Sequence, residues 1–241
     1  MYRYLAKKVS KSLSFFQLLL YNDKWLWRGN MKEKEEERLQ HMLEIEHGLY
    51  EKGYKLICGV DEAGRGPLCG PVVAAAVILK PEDKIEGVND SKKLTEKKRE
   101  ALYDVIMSKA LSVGVGISDV DVIEKVNILN ATKLAMKQAI QNLNVVPEYV
   151  LIDGNQMIDI NIEAQTVVSG DAKSESIAAA SIIAKVTRDR MLIEWDKQYP
   201  QYGFAKHKGY GTKAHIEAIK KYGLCPIHRP SFCTKFVKEE K

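Results

Sequence analysis

Across the middle of the chain, short apolar runs bounded by Gly, Asp or Pro alternate with longer stretches whose apolar residues recur every three or four positions. The short runs predict strands and the periodic stretches helices. Residues 55–60 form the first predicted strand, closing at Asp61 in front of Glu62 and a Gly64-Arg65-Gly66-Pro67 turn. Residues 71–79 form the second; they are apolar on both faces, which predicts deep burial, and the ten residues between the two allow a wide hairpin. Thr95 is placed to cap a helix that runs to about residue 110. Residues 111–117 alternate apolar with small or polar side chains, the pattern of a half-exposed third strand. Leu129, Met136, Ala139, Ile140 and Leu143 share one helical face within about 122–143, and Pro147 ends that element. Residues 149–152 make a short buried strand closing at Asp153-Gly154-Asn155, and 163–168 a fifth strand. A turn over 169–174 leads into a long helix, from 177 to about 195. Its Ala178, Ala179, Ala180, Ser181 and Ala184 are small enough to press on a sheet, and its far face bears Lys185, Arg188 and Arg190.

Strands interleaved with helices in this order predict a mixed α/β domain over residues 54–198. Before it, residues 1–53 read as an extension with one amphipathic helix over about 32–50, partly disordered. After it, residues 199–241 change character. Lys206, His207, Lys208 and Lys213 surround Tyr210 between two glycines, and a short helix follows to Tyr222. Cations interleaved with aromatics suit backbone contact plus stacking on nucleic acid, and a solvated loop with a cap is the competing reading.

Charge fits that reading without establishing it. The 241 residues carry a net charge of +5, 45% hydrophobic and 29% charged residues, an ordinary soluble balance that excludes bulk disorder. The four cysteines, Cys58, Cys69, Cys225 and Cys233, show no Cys-x-x-Cys spacing. They predict neither a zinc site nor a disulfide framework, and point to reduced thiols in a cytoplasmic protein. Lys7, Lys8 and Lys11 precede an apolar run over 13–21, but Gln17 interrupts it, it is too short to span a bilayer, and no small-residue cleavage site follows. Neither secretion nor a membrane anchor is predicted, and residues 1–30 could equally precede a true start at Met31.

Two apolar strands that each deliver an aspartate into a glycine turn are the chemical signal. If the first strand lies beside and parallel to the fourth, Asp61 and Asp153 emerge together at strand carboxyl ends, where open α/β sheets place their sites. Asp171, opening the long helix, can close the ring with Glu62. Asp61 and Glu62, being neighbours, can share a ligand only if the strand ends there, because successive strand side chains point to opposite faces. Clustered carboxylates without His or Cys prefer hard cations such as magnesium or manganese. Two such ions about 4 Å apart are the usual apparatus for in-line attack on a phosphodiester.

Five segments resemble, in order, the motifs of bacterial ribonuclease HII: Asp61 to Pro67, Asn89 to Leu94, Leu151 to Asn155, Gly170 to Val186 and His207 to Thr212. The likeness spans about residues 55–232 and implies a ribonuclease H-like fold, a five-stranded mixed sheet flanked by helices, with a small helical C-terminal domain. It implies hydrolysis of the RNA strand of RNA–DNA hybrids and incision 5′ to single ribonucleotides in duplex DNA, leaving 3′-hydroxyl and 5′-phosphate ends. By the same resemblance Asp61, Glu62, Asp153 and Asp171 hold two Mn2+ or Mg2+ ions, and Gly64, Arg65 and Gly66 read the ribose 2′-hydroxyl through backbone groups. Tyr210 matches the aromatic that stacks at the RNA–DNA junction.

Lys92, Lys93, Lys185, Arg188 and Lys213 are candidate phosphate contacts, each with a solvated surface cation as the competing reading. His215 and His228 read as structural, Cys58 and Cys69 as small core residues, and Trp195 as core. Among rivals, a ribonuclease HIII-like enzyme calls for a sizeable N-terminal sheet domain, which residues 1–54 are too short and helix-like to supply. A resolvase or transposase of the same fold class leaves the two glycine-flanked motifs unexplained. A non-catalytic hybrid-binding module has no use for four clustered carboxylates facing a polyanion. The chain is expected to act as a monomer, with no membrane partner.

Overall fold

The structure is a computed structural model and describes residues 33–237. The start-site and leader questions over residues 1–30 and the last four residues lie outside the described residues. The chain divides into two compact units, residues 1–41 and 42–241. In the first, the described residues are helical from 33 on, with Arg38 paired to Glu35 at 2.7 Å.

In the second unit a short helix, α1 (Glu44–Glu51), precedes a five-stranded sheet. The strands are β1 (Ile57–Ala63), β2 (Val72–Ile78), β3 (Ser112–Ser118), β4 (Tyr149–Asp153) and β5 (Glu163–Val167), in the spatial order β3-β2-β1-β4-β5. β1 runs antiparallel to β2 and parallel to β4, as the two aspartates require. β2 is wholly buried, in keeping with its unbroken apolar run.

Helices cover both faces. α2 (Glu96–Lys109) starts at Thr95, whose hydroxyl accepts from the Lys98 amide. α3 (Val120–Gln141) packs Ala131, Ala135, Met136, Ala139 and Ile140 on the face that holds Val60, Ala74, Ala76 and Ile152. That helix is broken at Asn127, where φ is +69°; the Asn127 side chain accepts from Leu129 and Asn130 amides and restarts the helix as a cap. On β3 the small residues face inward. A Cβ on Gly116 would sit 2.0 Å from the Ala135 carbonyl oxygen, so the glycine lets the α3 backbone touch the strand.

α4 (Glu175–Gln198) crosses the other face, capped by Ser174, with Ala178, Ala179, Ala180 and Ala184 fully buried as their size predicts. The remaining helices are α5 (Phe204–His207), α6 (Lys213–Tyr222) and α7 (Pro230–Cys233). They enclose a smaller apolar cluster of Leu68, Cys69, Leu192, Tyr202, Phe204, Ile219 and Cys233. This cluster brings the C-terminal segment against the loop that follows β1.

Candidate active site

β1 extends three residues further than its apolar run. Asp61, Glu62 and Ala63 still pair with Ala75, Ala74 and Val73 of β2, whereas pairing with β4 stops at Val60 opposite Ile152. The sheet therefore forks at Asp61 on one side and Asp153 on the other. This corrects the expectation that Asp61 and Glu62 stand at a bend: inside the strand they leave opposite faces. Asp61 accepts a hydrogen bond from Ser181 on α4, and Ser181 is 2.8 Å from Ser91. Glu62 lines a cleft of about 40 Å³ with Arg65, Thr132, Met136 and Asp153.

Asp61 is only 3% exposed. Burial, then the charges of Glu62 and Asp153, hold its carboxyl well above the ordinary range. Burial also raises Glu62, with Asp153 adding to it and Arg65 and Lys92 opposing. Arg65 reaches Glu62 at 3.2 Å. Asp153 accepts from the Gly170 amide at 2.7 Å, which draws the Gly170–Ala172 turn, and Asp171 with it, to the end of β4. Asp171 is pushed up to about 6 by burial and by the neighbouring Asp90 and Asp153 carboxylates. Asp153 thus links the four carboxylates: its charge acts on Asp61 and Glu62 on one side and on Asp171 on the other. Among the described residues, no three His, Cys, Asp or Glu side chains are already gathered as ligands of one ion. The donor set nonetheless suits a hard divalent cation: it is all oxygen, Asp61 and Asp171 are buried, and repulsion within it would fall on cation binding.

The Gly64–Gly70 loop leaves the same strand. Gly64 is buried with φ +100°, while Arg65 and Gly66 are exposed. Tyr210, 48% exposed, stands beside this loop: a Cβ on Gly66 would lie 3.9 Å from its ring. The Leu68 amide donates to the Gly209 carbonyl at 2.8 Å, joining the two segments.

The family model for ribonuclease HII matches residues 58–235, a stretch that contains the fork, both loops and the whole C-terminal cluster. The chain belongs to the ribonuclease HII family. It is therefore a ribonuclease, an enzyme of phosphodiester hydrolysis. The ribonuclease HII of Acetivibrio thermocellus is 64% identical over 205 residues, covering 85% of this chain and 80% of that one. Among solved structures, the ribonuclease H2 of Pyrococcus horikoshii aligns with a TM-score of 0.63 at 30% identity, over 75% of this chain and 96% of that one. The ribonuclease HII of Archaeoglobus fulgidus, solved in a complex with PCNA, aligns with a TM-score of 0.65 at 26% identity, over 76% and 97%. These neighbours share the ribonuclease H-like sheet and its flanking helices.

The candidate phosphate contacts separate on inspection. Arg188 is a correction: it is 1% exposed, and its guanidinium donates to the carbonyls of Cys69, Pro71 and Lys208 at 2.9–3.0 Å, leaving it turned inward. Its place on the outer half of a small-residue helix made it look like a surface cation. Lys185 is bonded to Asp189 at 2.6 Å and lies 6.0 Å from the Tyr210 ring centroid. Lys92 faces the site: burial pulls its ammonium down, but Asp61, Asp171, Asp90 and Asp153 more than offset that and hold it up. Lys93 is exposed, and Lys213 is 91% exposed with Glu217 at 3.9 Å.

Two residues at the site, Asp90 and Ser181, carried no sequence expectation of a role. Asp90 caps the Ser91–Lys93 turn and hydrogen-bonds Asp171; the motif containing it was the available signal. Ser181 was read only as small. Arg229 is a correction: the sequence places it among the tail cations interleaved with aromatics that suit nucleic acid, but it is buried and its guanidinium is spent on backbone carbonyls.

His215 and His228 are structural, as their sequence context predicted. The Cys225 amide donates to His228 Nδ1 (2.9 Å), and His215 Nδ1 donates to the Tyr210 carbonyl (3.0 Å). His228 Nε2 must then donate to His215 Nε2 at 3.1 Å, which fixes both rings as neutral. Burial pushes each down to about 4. Cys58 and Cys69 are fully buried. Trp195 is partly buried against the C-terminal cluster, and it lines a larger cleft of about 430 Å³ with Tyr103, Arg190 and Met191 that shares no residue with the carboxylates.

Proposed function

We propose that the chain hydrolyses the RNA strand of RNA–DNA hybrids and incises 5′ to ribonucleotides embedded in duplex DNA, leaving 3′-hydroxyl and 5′-phosphate ends. Such a reaction serves ribonucleotide removal from DNA and removal of RNA primers. The observation that carries this reading is the juxtaposition of four carboxylates, linked through the charge of Asp153, with the exposed Arg65 and Gly66 of the glycine loop and an exposed tyrosine. Ribonucleases H depend on divalent metal, and Asp61, Glu62, Asp153 and Asp171 are the residues that would hold Mn2+ or Mg2+ here. Such ions supply an activated water and a counter-charge for the leaving oxygen.

The protein's own groups do the rest. Gly66, with no Cβ, lets the backbone approach a sugar closely, and the 2′-hydroxyl is the one group that separates ribose from deoxyribose at that point. Gly64 and Arg65 shape the same contact. Tyr210 offers a face for stacking at the junction. Lys92, Lys93, Lys185 and Lys213 contribute phosphate contacts, which position a duplex without reading it. Residues 54–198 carry the chemistry and 199–241 the junction contact.

End-mapping of products from a uniform RNA–DNA hybrid, an RNA duplex and an all-DNA duplex tests the reading. Cleavage of the hybrid alone, with 3′-hydroxyl ends and full inhibition by chelator, is expected. Cleavage of the all-DNA duplex, or 3′-phosphate ends, would refute it.

A further inference from the structure

Arg229 is fully buried at the start of α7, yet all its side-chain hydrogen bonds run to one short loop. Its Nη2 donates to the carbonyls of Gly64 (2.6 Å) and Gly70 (2.7 Å). Its Nη1 donates to those of Arg65 (3.0 Å) and Pro67 (2.9 Å), and its Nε to Gly70 again (2.9 Å). Four carbonyls of a seven-residue loop are thus drawn onto one planar fork.

The peptide geometry fixes what this does to the other side of the loop. Every peptide here is trans, and in a trans peptide the C=O and the following N–H point in opposite directions. With the Gly64 and Arg65 carbonyls held inward, the amides of Arg65 and Gly66 are turned away from Arg229. The next amide in the loop shows where that opposite side lies: the Pro67 carbonyl faces Arg229, and the Leu68 amide donates to Gly209, beside Tyr210. After the Gly70 carbonyl comes Pro71, which has no amide to orient. Arg188 supports the arrangement from behind. It bonds the Cys69 and Pro71 carbonyls and packs where a Cβ on Gly64 would lie 2.2 Å from its Nε.

We infer that Arg229 is a positioning residue for ribose selection: by holding the Gly64 and Arg65 carbonyls inward, it presents the Arg65 and Gly66 amides, side by side and facing Tyr210, to the sugar hydroxyl. The inference rests on the proposed ribonucleotide-incising function. A lysine in place of Arg229 keeps the charge but offers a point donor instead of a fork. It can satisfy one or two of these carbonyls and leaves the loop free to rotate its peptides.

The test measures affinity for a DNA duplex holding one ribonucleotide and for the matched all-DNA duplex, with chelator present so that no cleavage occurs. Wild type, Arg229→Lys and Arg229→Met are compared, each with a thermal melt. The expected result is that the ribonucleotide preference of the folded variants falls about 2- to 10-fold, the scale of one lost hydrogen bond, while all-DNA binding holds. A general loss of fold would lower both affinities together. An undiminished preference in folded Arg229→Lys overturns the proposal, and a wild type with no preference overturns the functional reading beneath it. Amide hydrogen exchange on the wild type decides independently, and alone if neither variant folds. The Arg65 and Gly66 amides should exchange freely in the unbound protein and slow with the ribonucleotide duplex but not with the all-DNA one. Protection in the unbound protein would overturn the proposal.

Discussion

Placing a single methyl group at two neighbouring glycines should separate the loop's folding role from its recognition role. Gly64 has φ +100°, and a Cβ there would lie 2.2 Å from Arg188 Nε and 2.6 Å from the Pro71 carbonyl oxygen. Holding a residue with a Cβ in such a conformation costs about 1–3 kcal/mol. Arg188 cannot yield freely, because Nε is the atom that donates to Pro71. Displacing that buried, charged hydrogen bond costs about 1.5–3 kcal/mol more. Gly64→Ala should therefore destabilise the protein by about 2.5–6 kcal/mol, a large share of the ~5–15 kcal/mol typical of a domain. With a urea slope of about 2 kcal/mol/M, the midpoint should move down by about 1–3 M. At Gly66 the same methyl group meets only the Tyr210 ring, at 3.9 Å, so Gly66→Ala should change stability by less than about 0.5 kcal/mol. Its loss should appear instead in incision at a single ribonucleotide, because the methyl group occupies the sugar's approach. Urea denaturation of both variants, followed by incision assays on the folded fraction, reads this out. A Gly64→Ala midpoint equal to wild type would show that no packing or strain opposes a side chain there, and a depressed Gly66→Ala midpoint with normal incision would show that Gly66 serves the fold and not the sugar.

Other consequences follow from the same contacts. Tyr210→Ala should leave the thermal transition within about 0.5 kcal/mol of wild type, since the ring is half exposed, while weakening junction incision; a collapsed transition would make Tyr210 a core residue. His215 and His228, pushed down to about 4, should remain neutral at pH 5.5 by NMR, and titration near 6.5 would contradict the neutral chain. The unfolded chain binds these protons first, so their contribution to stability is full above about pH 6.5 and is lost as pH falls towards 4. Manganese or magnesium should raise the melting temperature of wild type and not of Asp171→Asn, because cation binding relieves repulsion that this substitution has already reduced; an equal rise in both would place the ions elsewhere.

Much of this architecture was legible because burial writes itself into periodicity. The strand ending at Asp153 and the small-residue face of α4 both followed from the sequence, whereas parallel pairing of β1 with β4 was only the condition under which Asp61 meets Asp153, and the sheet fulfils it. What was not legible has a common cause. Asp61 and Glu62 continue β1 because β2 supplies partners for them, and a pairing partner is information from elsewhere in the chain. Arg188 and Arg229 are buried cations whose partners are backbone carbonyls, and a carbonyl is present at every residue, so no side-chain pattern announces the pairing. The break at Asn127 was hidden likewise, since apolar residues on both sides keep helical spacing.

The central claim is that the carboxylates at the fork cut where the neighbouring loop finds a ribose. It is tested most directly by single-turnover incision of a DNA duplex containing one ribonucleotide, in manganese or magnesium, by wild type and Asp153→Asn. Wild type should make one nick on the 5′ side of the ribonucleotide and the variant none. Equal incision by both proteins would contradict the central claim.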